Sequence, residues 1–183
     1  MGRISVSAPD TGWDTQNGIS SLTEADTGML VFTDELWIYA DPCDWSTTTP
    51  DTPASSAAEI IAALGGQASR DASAPTDITV GEYSGQSITL HVPADITVDR
   101  QHEDNNLFPG CDDERFSTLT TGVDGVPLSE PERYAQDAGQ VDEFWVVDVD
   151  GVPVVFDLAY WATAPQNVID DLRAMAASAT FGE

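Results

Sequence analysis

QVDEFWVVDVDGVPVVFDLAYW, from Gln140 to Trp161, consists of two β-branched and aromatic runs on either side of Asp150-Gly151. Asp-Gly suits the positive φ values that a type I′ turn requires, so the stretch reads as a β-hairpin. A two-residue turn sets the register. Val149 then faces Val152, Val147 faces Val154, Trp145 faces Phe156 and Glu143 faces Leu158. Because strand side chains alternate, one face carries Trp145, Val147, Val149, Val154, Phe156 and Leu158. The other carries Phe144, Val146 and Val155 together with Asp148 and Asp157. Neither face is wholly polar, so the hairpin belongs in a sheet covered at least partly on both sides.

After the hairpin, Thr163-Ala164-Pro165-Gln166 predicts a capped helix start. Val168, Ile169, Leu172, Met175, Ala176 and Ala179 form its apolar stripe, and Thr180-Phe181 adds a short terminal strand. Before the hairpin, Trp13, Ile19 and Leu22 around Asn17-Gly18 suggest a first short hairpin. Met29 to Tyr39 suggests two strands, or one bent strand, broken near Asp34-Glu35. Residues 46–56 form a Ser/Thr/Pro linker. It leads into a helix, with capping-box spacing at Ser56 and Glu59 and an apolar stripe of Ala57, Ile60, Ile61 and Leu64 that ends at Gly65-Gly66. Asp77 to Val92 predicts a second hairpin turning at Ser84-Gly85. Residues 94–116 are loop-like and acidic. A turn at Asp124-Gly125 and a helical turn after Ser129 precede the central hairpin.

These elements predict one α+β domain over residues 13–183, preceded by a flexible lead-in of residues 1–12. The expected core is a mostly antiparallel sheet of about five to seven strands with two main helices packed on it.

Thirty-two acidic residues against six Arg and no Lys give a formal net charge of -26. Such a surface repels phosphate backbones and anionic headgroups, which excludes nucleic acid and direct membrane-surface contact as partners. It serves solubility, in a salt-rich or wall-associated setting, or offers a site to cations or a basic partner. Cys43 and Cys111 lie in loop-like surroundings and outside any Cys-x-x-Cys pair. They form either a disulfide or two buried thiols. The disulfide is favoured; it contributes up to roughly 4 kcal/mol through chain entropy and indicates an extracytoplasmic protein. Met1-Gly2-Arg3-Ile4 is not followed by an apolar run, so the expectation is an extracytoplasmic domain separated from its leader or anchor.

Three stretches carry a resemblance: Tyr39-Ala40-Asp41-Pro42-Cys43-Asp44-Trp45, Gly139-Gln140-Val141-Asp142 entering the Asp-Val-Asp-Gly hairpin, and Met175-Ala176-Ala177-Ser178-Ala179-Thr180-Phe181. Over about residues 30–181 the chain resembles a group of uncharacterised actinobacterial extracytoplasmic proteins, in which the domain often follows a leader or membrane helix. Its ending, a hairpin, a long helix and a short strand, is similar to the Mog1/PsbP-like fold. These likenesses imply structure and compartment, but no activity.

Reactive constellations are sparse. His91 alternates with Leu90 and Val92 and should face solvent. His102, Glu103 and Asp104 are consecutive, and adjacent side chains seldom converge on one ion. Asp148 and Asp150 resemble the start of a calcium loop, but Pro153 and Val155 stand where further ligands are needed. The chain has no Gly-x-Ser-x-Gly elbow, no His beside either Cys and no glycine-rich phosphate motif. Trp13, Trp37, Trp45 and Trp161 fit a core better than a ligand surface; Trp45, after Cys43, is the best candidate for exposure.

The expectation is a non-enzymatic extracytoplasmic binding or sensory module without a cofactor or bound metal. Its partner, a protein or a small molecule, is expected at Trp45, His102, Glu103, Asp104, Asp112, Asp113 and Glu114, around the Cys43 and Cys111 loops. The alternatives are a calcium-stabilised structural domain and a hydrolase built from acidic residues.

Overall fold

A computed structural model describes residues 3–9, 13–16, 19–22, 27–100 and 106–182. In chain order the strands and helices are β1 (Ile4–Ser5), β2 (Asp14–Gln16), β3 (Ile19–Leu22), β4 (Thr27–Phe32), β5 (Leu36–Ile38), α1 (Ala57–Gly65), β6 (Asp71–Ala72), β7 (Thr76–Val80), β8 (Tyr83–His91), β9 (Ser117–Val123), β10 (Val126–Pro127), β11 (Arg133–Tyr134), β12 (Gln140–Val149), β13 (Val152–Trp161), α2 (Gln166–Ala177) and β14 (Thr180–Phe181).

The central hairpin is β12–β13, in the register expected from its turn, from Val149 opposite Val152 out to Gln140 opposite Trp161. Asp150 and Gly151 take φ of 55° and 87°, and Asp148 Oδ1 accepts from the Gly151 N–H at 2.6 Å. Asp148 is therefore a turn acceptor.

Around the hairpin grows an antiparallel sheet in the order β2-β3-β4-β13-β12-β8-β6, with β7 also on β8. At eight strands it is one wider than expected. A second sheet sets β9 between β5 and the pair β10 and β11, and β1 pairs with β14. The fold is α+β. The expected lead-in thus carries one ordered pairing, Ile4 opposite Phe181 and Ser5 opposite Thr180.

The two hairpin faces enter different cores. Val141, Trp145, Val147, Val149, Val154, Phe156 and Leu158 pack with Ile169, Leu172, Met175 and Ala176 of α2. Phe144, Val146 and Val155 pack with Ile60, Ile61 and Leu64 of α1, with Leu36 and Ile38 of β5, and with Leu119 of β9. The second sheet is what covers the face that carries Asp157.

Local expectations differ from the structure at four places. The β7–β8 turn is Gly81-Glu82, with Val80 opposite Tyr83, rather than Ser84-Gly85. Gly81 supplies the positive φ of 58°, while Gly85 lies inside β8, where a Cβ would collide with Val146 and Val147. The segment after Ser129 bends into β11 instead of forming a helical turn. α2 begins after Pro165 with no side-chain cap, because proline fixes the entry φ but offers no acceptor side chain. At α1, the Glu59 N–H donates to Ser56 Oγ at 3.3 Å, and the Glu59 carboxylate accepts from Ser55 rather than Ser56. The turn residues 17–18 of the first hairpin lie outside the described residues, but its strands pair as expected, Gln16 opposite Ile19.

Candidate functional site

Cys43 and Cys111 form a disulfide with their Cα atoms 4.4 Å apart. It is one tie among several between the two loops. The Asp112 N–H donates to the Cys43 carbonyl at 2.8 Å, and Trp45 Nε1 donates to the Asp112 carbonyl at 2.8 Å. Ser46 donates its N–H and its hydroxyl to Asp112 Oδ2 at 2.9 and 2.6 Å. The Ser46 hydroxyl, then its N–H, hold the Asp112 carboxyl below the usual carboxylate range.

This bracing corrects the expectation for Trp45. Its ring is 7% exposed and lies 5.7 Å from Tyr39, because the indole N–H finds its acceptor only when the ring turns inward. Asp113 and Glu114 remain exposed on a short 3-10 turn, with φ of 46° and 55°. His102, Glu103 and Asp104 lie outside the described residues. His91 faces solvent as expected. Among the described residues, no three His, Cys, Asp or Glu side chains converge as a metal site would require.

The chemistry-bearing residues that do converge were not predicted. Asp142 and Asp157, both fully buried, lie between the sheets with Arg70 and Arg133. Arg70 Nη2 and Arg133 Nη2 each donate to Asp142 at 2.5 Å, and Gln140 Nε2 donates to it at 2.6 Å. Arg133 Nε donates to Asp157. Burial opposes ionisation of Asp142, but the charges of Arg133 and Arg70 outweigh it and hold this carboxyl below its ordinary range. Asp157 has one cation and one ionised neighbour. Burial, with Asp142 adding to it against the pull of Arg133, pushes Asp157 up to about 6.

On the opposite face, Arg173 Nη2 pairs with Glu143 at 2.8 Å, and Trp145 Nε1 donates to Glu143 at 2.7 Å. Burial first, then Glu143, push the Tyr160 hydroxyl up to about 12. Three of the six arginines thus pair with Asp142, Glu143 and Asp157, the buried carboxylates among the described residues, as an interior of low dielectric demands. The Arg70, Arg133, Asp142 and Asp157 side chains are walled off from solvent, whereas Arg173 reaches Glu143 from a partly exposed position; both groups act as structural joints between layers.

An accessible concavity lies elsewhere among the described residues. A cavity of about 660 Å³ opens between β5, the linker and the start of α1, lined by Ile38, Ala40, Pro53, Ala54, Glu59 and Ala63 among others. Its wall is the chain that leaves the disulfide loop. Thr48 returns a backbone bond to Ala40, and Ala54 pairs with Leu36. Between those two contacts Pro50, Thr52 and Pro53 of the linker line the cavity. Sequence reading identified the linker as irregular, but the space behind it depends on two pairings that no local pattern encodes.

Comparison with protein-family models, curated proteins and solved structures finds no match. Among the described residues no helix is long and apolar enough to cross a membrane. The disulfide fits a domain that matures in an oxidising compartment.

Proposed function

We propose that the domain is a non-enzymatic extracytoplasmic binding or sensory module whose ligand enters the cavity beside the disulfide loop. The observation that carries this reading is a mostly apolar cavity with a braced wall in a protein whose Asp142, Asp157, Arg70 and Arg133 cluster is sealed in its interior. The disulfide and the bonds from Trp45 and Ser46 to Asp112 fix the start of the linker, and the Ala54–Leu36 pairing fixes its end, which supports a cavity formed before any ligand arrives. The acidic surface, including exposed Asp113 and Glu114, favours neutral or cationic partners over nucleic acid or anionic lipid. Extracytoplasmic residence is supported by the disulfide and by the absence of Lys.

A thermal-shift screen of small apolar molecules and short peptides tests the reading. Hits should raise the melting temperature of the native chain but not of Ala63→Phe, which fills the cavity from α1. A screen whose hits act equally on both proteins refutes it.

A further inference from the structure

The cavity wall includes a stretch of sheet edge. β5 pairs with β9 with Ile38 opposite Leu119, and the Tyr39 N–H donates to the Thr118 carbonyl. Antiparallel pairs alternate, so Tyr39 and Trp37 direct their backbone groups at β9 while Leu36, Ile38 and Ala40 direct theirs to the outer edge. On that edge the Leu36 carbonyl accepts from Ala54. The Ala40 N–H donates to Thr48, and its carbonyl accepts from Ala68. Between them, the N–H and C=O of Ile38 have no partner among the described residues, and Ile38 lines the cavity. One residue's worth of strand edge therefore faces an apolar space.

We infer that this cavity binds the N-terminal end of an apolar peptide, whose second residue pairs with Ile38 in extended conformation. The inference rests on the binding-module reading and names its ligand. A backbone N–H and C=O on one side of a strand match the C=O and N–H of another extended residue, which is how peptides add to sheet edges. The occupant cannot continue along β5, because Leu36 and Ala40 are already taken. It has to enter end-on, so a chain terminus is required. The terminus is the amine: Glu59 stands in the wall and no Arg or His among the described residues lines it, on a protein of net charge -26 without Lys. Glu59 already accepts from the Ser55 N–H and hydroxyl through Oε2, which fixes its carboxylate at the helix start. The walls of Ala40, Pro53, Ala54 and Ala63 leave room for the aliphatic side chains.

The test is an amide-resonance NMR titration of the whole domain with leucyl-leucine methylamide. A second titration uses the depsipeptide in which oxygen replaces the internal N–H. The peptide should shift Ile38, Ala54 and Ala63, and the depsipeptide should bind about tenfold more weakly for want of one buried hydrogen bond. Glu59→Gln, which keeps the helix cap, should weaken the peptide severalfold. Equal binding of the depsipeptide at the same resonances overturns the strand pairing while leaving the cavity a binding site. Unchanged affinity in Glu59→Gln overturns the amine-first orientation. No shift at those residues with either compound overturns both this inference and the binding-module reading.

Discussion

Asp157→Asn isolates the energetics of the carboxylate cluster between the sheets. Asp157 is fully buried and is faced by Arg133 from β11, Asp142 from β12 and Arg70 from the segment after α1, with Leu30 of β4 opposite it across the sheet. Burial raises its carboxyl to about 6, whereas an unfolded aspartate titrates near 3.9. The folded protein therefore binds this proton more tightly than the unfolded chain does. The stabilisation linked to that proton is complete below about pH 4 and is lost as pH rises through 6. The full window amounts to about 3 kcal/mol, of which about 1.4 kcal/mol has returned by pH 5. That pH still lies above the isoelectric point of about 4.1. Asn cannot titrate, so relative to the native chain Asp157→Asn should be more destabilising at pH 5 than at pH 8 by about 1.4 kcal/mol. Taking the difference between two proteins cancels the titration of the other acids. Urea unfolding followed by the fluorescence of the buried Trp37, Trp45 and Trp145 provides the measurement. An effect of the substitution that is the same at both pH values would refute an elevated Asp157 carboxyl.

Four further outcomes are expected. Arg133→Met strands the buried Asp157, leaves Asp142 with Arg70 as its cation, and should cost about 3–5 kcal/mol in the same urea assay at pH 7, with a smaller loss in Arg133→Met/Asp157→Leu than in Arg133→Met alone. Reducing Cys43–Cys111, or replacing both residues by Ser, opens a loop of 68 positions and should lower stability by about 4 kcal/mol; calorimetry of the oxidised and reduced forms checks it. Gly122→Ala puts a Cβ against the fully buried Trp37 ring and the Val126 carbonyl and should cost about 1–3 kcal/mol, with a shift in tryptophan emission. The melting temperature should rise between low and molar sodium chloride, because screening relieves self-repulsion at a net charge of -26; a melting point indifferent to salt contradicts this.

The amino-acid sequence by itself determined whatever has a local period or a local turn. The β12–β13 register follows from Asp150-Gly151 and alternation, the stripes of α1 and α2 from helical spacing, and the β4–β5 break from Asp34-Glu35. Tertiary structure decided whatever depends on which distant segments meet. The pentapeptide Val-Asp-Gly-Val-Pro occurs at residues 123–127 and 149–153 and makes the same Asp-Gly turn twice, with φ of 53° and 75° in one and 55° and 87° in the other. Val123 is nonetheless 65% exposed and Val149 only 5%, because α2 covers the second turn's strand and nothing among the described residues covers the first. In the same way Asp157 is legible as a polar interruption in an apolar face, but Arg133 and Arg70 come to it from 24 and 87 positions away. Trp45 turns inward because Asp112, 67 positions on, supplies its acceptor. Turn and periodicity act within a few residues of backbone, whereas burial and charge pairing act across space. Apart from β9, the second sheet that covers Asp157 consists of strands of only two or three residues, too short to announce themselves.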